Sequence, residues 1–246
     1  MKNSNQLLHK PSLISSALSN WAANFTNILV TFLLVPLLIN NLGKQKYGIW
    51  LLVNSFIGYY GMLNLGITSA VSRYIAKYRG EREVEGINKV YNSTVALFAI
   101  TGAVVILLSY FLSSPLAIFF KISDTNKQQF IILIKLVGII TALKFQTSIL
   151  AAVLTAHERF IEKNIVSISR ALFKALLMYM AIMKGKGLVA LSLIMLSLTF
   201  FDLVVYHAII FVKISWVKLS MHKSDLVLLR SMVSYGIGHF VVSIAA

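Results

Sequence analysis

"LISSALSNWAANFTNILVTFLLVPLLINNLGKQKYGIWLLVNSFIGYYGMLNLGITSA", residues 13–70, contains two long apolar runs and one short polar break, "NNLGKQK" at 40–46. Neither 13–39 nor 47–70 carries a charged residue. About 20 apolar residues in helix cross the ~30 Å of hydrocarbon in a bilayer, and each run reaches that length. The break is too short for anything but a tight return, and its glycine suits one. The stretch therefore predicts a pair of antiparallel membrane helices.

The rest of the chain extends that reading. Of 246 residues, 58% are hydrophobic and 13% charged, and the mean hydropathy is +0.80. Soluble domains lie nearer ~45–50% apolar and ~25% charged. Further runs at 91–112, 130–153, 164–183 and 188–212 bring the predicted total to six spans. The fold class is all-α, a polytopic membrane protein. A seventh apolar run, 231–246, would reach only ~24 Å at 1.5 Å per residue. The expected layout is a cytoplasmic N-terminus at 1–12, a six-span lobe at 13–212, a linker at 213–230 and a seventh span cut short at 231–246. On that reading the chain is the front half of a longer protein.

A net charge of +15 invites a nucleic-acid partner, but the charges follow topology instead. With a cytoplasmic N-terminus, the inner segments hold 13 Lys/Arg and the outer loops six. That asymmetry orients helices during insertion and attracts anionic headgroups. No nucleic acid is expected. With no cysteine, thiolate chemistry and disulfides are excluded. No phosphate loop, HExxH or GxSxG element occurs, so no metal, cofactor or catalytic residue is expected. The outer loops are too short to carry an active site, and the chain reads as a non-enzyme.

Ionisable residues inside the predicted spans are the candidate site. Each costs at least ~2.5–3.5 kcal/mol at a helix centre, so each needs a reason. Entering the fifth span from 164, Arg170 lies ~9 Å deep and Lys174 ~15 Å deep. Lys144 lies ~14 Å from the inner end of the fourth span, and Asp202 ~15 Å from the inner end of the sixth. Three spans thus place charge at one level. Lys135 sits near the outer edge, where its stem can snorkel.

Two readings of this level stay open. In one, Asp202 locks Lys174 or Lys144 in an internal ion pair. In the other, the surplus cations face a wet cavity and an anionic ligand. One carboxylate cannot satisfy three cations, and Arg170 with Lys174 one turn later suits a diphosphate. Tyr59, Tyr60, Asn24, Asn27 and Gln146 lie at depth as candidates for hydrogen bonds to a ligand, or to neighbouring helices. Arg73 and Lys77 mark a cytoplasmic gate or an interfacial anchor. Gly58, Gly61 and Gly66, with Ser55 and Ser69, read as close-packing positions. Trp21, Trp50 and Trp216, near span ends, read as an interfacial belt.

Several of these residues form a pattern. Pro36 precedes a turn Leu42-Gly43…Tyr47-Gly48-x-Trp50, then Leu65-Gly66, then Arg73, Tyr74 and Ala76. "AHERFIEKN" at 156–164 joins the fourth and fifth spans. In this order they resemble the polysaccharide and O-antigen flippases of the multidrug/oligosaccharidyl-lipid/polysaccharide exporter superfamily. The resemblance is specific over 13–80 and covers the whole chain in span layout. It implies two six-helix lobes around a central cavity, with alternating access across the bacterial inner membrane. It implies a polyprenyl-diphosphate-linked oligosaccharide as substrate, for O-antigen, capsule or exopolysaccharide assembly. Membrane lipids, the missing C-terminal lobe, and a polysaccharide polymerase with its chain-length machinery are the implied partners. Asn64 departs from the family, whose members often carry an acidic residue before Leu-Gly, and this removes a candidate proton site. A multidrug exporter of organic cations and a membrane glycan polymerase or ligase are the alternatives. The first wants an acidic or aromatic cavity and the second wants reactive outer loops.

Overall fold

The computed structural model describes residues 13–218 and 225–245. The predicted N-terminal segment 1–12, Ala246 and linker residues 219–224 lie outside the described residues. The described chain is helical: α1 (Leu13–Gly61), a 3-10 turn (Met62–Asn64), α2 (Ile67–Gly80), α3 (Val84–Phe119), α4 (Asp124–Ala156), α5 (Phe160–Met183), α6 (Leu188–Lys213) and α7 (Leu226–Ala245). Five helices among the described residues are long and apolar enough to cross a membrane.

The first of these is folded in two. At Gly43 the backbone adopts φ 76°, ψ 160°, a region open essentially to glycine alone. Residues equidistant from the Leu42–Gly43 bond meet again: Thr31 with Asn54, Leu34 with Leu51, and Leu38 with Tyr47 surround one small cavity. The two arms are thus the antiparallel pair that the polar break predicts. Folding back also buries Trp50 with Leu34, Leu38 and Val53. The expected tryptophan belt therefore reduces to Trp21, which is exposed, because Trp50 is core and Trp216 packs on His157.

The second predicted span is not continuous. It stops at Gly61, passes through the 3-10 turn, and places Leu65 (φ 46°) and Gly66 (φ 70°) in the left-handed region before α2 restarts. Asn64 explains how the restart is held. Its Oδ1 accepts the Thr68 N–H at 3.1 Å, and its Nδ2 donates to Thr68 Oγ1 at 2.6 Å. The Thr68 N–H at the start of the new helix is thus satisfied by a side-chain amide, which a hydroxyl bond holds in place. Gly66 also lies against α7, where an added Cβ would come within 2.3 Å of the Gly236 carbonyl oxygen. The other two glycines expected at close contacts do not make them: added Cβ atoms at Gly58 and Gly61 would meet nothing within 4 Å. The close approaches lie elsewhere. Gly102 faces Ala142, and Gly138 faces Ser109, so α3 and α4 cross nearly backbone to backbone.

α4 is the hub, packed against α1, α2, α3, α5 and α6. α5 lies along α1 and α6, and α7 lies on α2 and α3. The predicted inner loop between the second and third spans is almost all helix. α2 ends at Gly80 and α3 starts at Val84, after a turn closed by the Glu83 N–H donating to Tyr78 O at 2.8 Å. α7 likewise starts five residues before the predicted 231. Its twenty residues reach ~30 Å rather than the expected ~24 Å.

Candidate functional site

The hub position of α4 brings its middle against α6 and, across it, the middle of α5. Lys144 of α4 stands within electrostatic reach of Arg170 and Lys174 of α5 and Asp202 of α6. The common depth expected from the sequence is therefore a common place. Within it, Arg170 Nη1 donates to Asp202 Oδ2 in an ion pair whose carboxylate is almost wholly buried, the side chain being 5% exposed. The lock exists, but its cation is Arg170 rather than either lysine. The reach of the guanidinium from α5, next to α6, decides the choice.

Lys144 and Lys174 have no carboxylate within 4 Å among the described residues, and both are partly buried. Asp202 Oδ1 is buried without a hydrogen-bond partner, so the carboxylate still has accepting capacity facing this cluster. Tyr206, one turn after Asp202, is buried beside the pair. It is a residue that the sequence reading passed over; an aromatic hydroxyl four residues from a buried acid was the available signal.

Lys174 also opens onto the small cavity enclosed by the α1 hairpin. That space, about 150 Å3, is lined by Thr31, Val35, Tyr47, Trp50, Asn54, Lys174, Met178 and Met195 among others. A cation, an amide and a hydroxyl thus share an otherwise apolar chamber. Asn54 Nδ2 donates to Trp50 O at 2.7 Å, and its side-chain oxygen can still accept. An ammonium group in such a chamber has lost most of its water, and an anion is what would restore its partners.

The remaining candidates scatter. Tyr60 OH accepts from Ser109 Oγ at 3.1 Å, and Gln146 Nε2 donates to Val95 O at 3.4 Å, so both side chains are spent on α3. Asn27 Nδ2 donates to Ala23 O at 2.8 Å and to Ser167 Oγ at 3.1 Å, tying α1 to α5. Asn24 and Tyr59 are exposed, with the Tyr59 ring edge-on to Phe56. Lys135 lies over the Tyr110 ring, 4.3 Å from its centroid.

At the other end of the bundle, Arg73 stacks over Tyr235 of α7 at 4.3 Å, and Lys77 pairs loosely with Glu81 at 4.0 Å. The more engaged cation there is Arg79, which donates to Ala156 O at 2.9 Å and to Glu158 Oε1 at 3.2 Å. It fixes the turn between α4 and α5. In that turn His157 is buried, its Nδ1–H donating to Val153 O at 2.8 Å and its ring against Trp216. Burial pushes its pKa down from 6.5 to about 4, with the charges of Arg79 and Arg159 adding to the effect. Asn88 and Asn92 of α3 hold the start of the linker: Asn88 Nδ2 donates to Trp216 O at 3.0 Å, its Oδ1 accepts the Lys218 N–H at 2.7 Å, and Asn92 Nδ2 donates to Lys218 O at 3.0 Å.

These long apolar helices make a multi-pass membrane protein. A Shigella flexneri protein named "Putative O-antigen transporter" is 25% identical over 162 residues. The match covers 65% of this chain and 37% of that protein's length. No solved structure matches. The family model described as "Polysaccharide biosynthesis protein" matches residues 13–246, from the α1 hairpin through α7, and the chain belongs to that family.

Proposed function

We propose that the protein moves a polyprenyl-diphosphate-linked oligosaccharide across the bacterial inner membrane, and that this chain supplies the lobe that holds the diphosphate. The observation that carries the reading is the charge count of the buried cluster. Arg170, Lys144 and Lys174 stand against Asp202 alone, and Asp202 is engaged with Arg170. Two ammonium groups in a low-dielectric interior remain without an anion, and a diphosphate brings about two charges and several acceptor oxygens. Lys144 and Lys174 are the contacts in this reading, and Arg170 is their neighbour held in place by Asp202. Counting the two arms of α1 separately gives six crossings, with the N-terminus, Arg73, Lys77 and Arg79 on the cytoplasmic side. Transport proceeds by alternating access, no bond being made or broken. The Shigella relative's name supports a polysaccharide cargo, and the net positive cluster disfavours an organic cation.

The test uses the full-length protein in cells that assemble a surface glycan. Lys144→Ala and Lys174→Ala should each lower glycan export at unchanged protein level, and the double variant should abolish it. Normal export by the double variant would refute the assignment.

A further inference from the structure

A second, larger space runs along the first arm of α1. It measures about 570 Å3 and is walled among the described residues by Asn27, Ile28, Thr31, Phe32, Val35 and Pro36. Successive pairs four residues apart place these side chains on one helical face. Two of the six are polar, yet the wall offers no donor, because theirs are already used. Thr31 Oγ1 donates to Asn27 O at 2.8 Å, and Asn27 Nδ2 donates to Ala23 O and Ser167 Oγ. A phosphate entering this groove would lose water and gain no donor. Pro36 has no N–H and its ring crowds the preceding turn, which loosens the helix where the groove ends.

Thr31 and Val35 wall both this groove and the chamber that holds Lys174 and Asn54. An apolar channel and a cationic chamber therefore meet at one rim. Lys174 is fourteen residues from Phe160 and nine from Met183, the two ends of α5. It thus lies at least ~14 Å from either end of that helix. A resident phospholipid keeps its phosphate at the bilayer surface, so a phosphate at Lys174 belongs to a lipid in transit. We infer that the groove receives the isoprenoid chain of the lipid-linked glycan next to its diphosphate while Lys174 holds the phosphates. This assignment rests on the transport reading above and adds the place where tail and head part.

The experiment uses the full-length protein in nanodiscs of phosphatidylethanolamine and phosphatidylglycerol. The probe is a polyprenyl diphosphate with a photoreactive diazirine on the isoprene unit nearest the phosphates. After illumination, labelled residues are located by peptide mass spectrometry. Labelling should fall on 27–36, be displaced by unlabelled polyprenyl diphosphate, and drop about tenfold in Val35→Trp and Ile28→Trp, which fill the groove. The displacement arm needs no variant to fold. Lys174→Gln should weaken labelling by the diphosphate probe and leave the weaker labelling by the matching polyprenol unchanged. Displaceable labelling elsewhere in the protein would overturn the groove while leaving the transport reading standing. Labelling of 27–36 by the polyprenol alone, with no gain from the diphosphate, would overturn both. Equal labelling of 27–36 by a diazirine phospholipid, undisplaced by polyprenyl diphosphate, would overturn the inference in favour of an ordinary acyl-chain groove.

Discussion

Replacing Arg170 by methionine removes the donor from Asp202 while keeping most of the side-chain volume. The carboxylate is 5% exposed and its Oδ1 is already without a partner, so the variant leaves a buried carboxylate with no hydrogen-bond donor. Losing one partner of a buried ion pair costs ~3–5 kcal/mol. Asp202→Asn is milder: the amide oxygen can still accept from the guanidinium, and Arg170, 27% exposed, keeps some water. The loss there is the charged part of one hydrogen bond, ~1.5–3 kcal/mol. The double variant Arg170→Met/Asp202→Leu leaves no stranded carboxylate and should recover at least ~2 kcal/mol over Arg170→Met. The assay is reversible unfolding of the purified protein in detergent, read by tryptophan fluorescence, for the wild type and each variant. A cost below ~1 kcal/mol for Arg170→Met, or simple additivity in the double variant, would refute the claim that Asp202 is committed to Arg170. It would then return Asp202 to one of the lysines and put Arg170 among the surplus cations in its place.

Other outcomes are equally open to test. His157 is folded in its neutral form, so its contribution is full above about pH 6.5, declines as pH falls toward 4, and levels off below; the span of about 2.5 units amounts to ~3 kcal/mol. Unfolding midpoints measured between pH 7.5 and 4.5 should show that decline in the wild type and a shallower one in His157→Phe. Gly43→Ala should cost ~1–2 kcal/mol from backbone conformation alone, since its Cβ meets nothing, whereas Gly66→Ala adds a clash with the Gly236 carbonyl. Cysteines placed at 73 and 235, where Arg73 stacks on Tyr235, should cross-link in the Gly43→Ala background and fail to in Gly66→Ala. For orientation, single cysteines at 124 and 83 should be reached by an impermeant thiol reagent in spheroplasts at 124 only; the reverse pattern would invert the topology. Asn88→Ala should free the Trp216–Lys218 backbone and raise proteolysis after Lys218, with α3 itself unaffected.

Hydrocarbon thickness and the high cost of bare charge are conditions that every segment meets alone, and so the sequence by itself determined the helices, their number of apolar runs and the hairpin at Gly43. That Lys144, Arg170, Lys174 and Asp202 share one level of the bundle was legible for the same reason, because rise per residue is a local constant. Direction around the helix axis is not local. Tyr60 and Gln146 have the right depth for a sugar site, yet the close α3–α4 crossing at Gly102 and Gly138 turns both toward α3. The choice of Arg170 over the lysines as partner of Asp202 depends on how α5 and α6 lie together, which no spacing within either helix records. The break at Leu65–Gly66 was equally hidden. Its residues are apolar enough for an unbroken span, and only the approach of Gly236, with the amide of Asn64 on Thr68, makes the left-handed turn the lower-energy path.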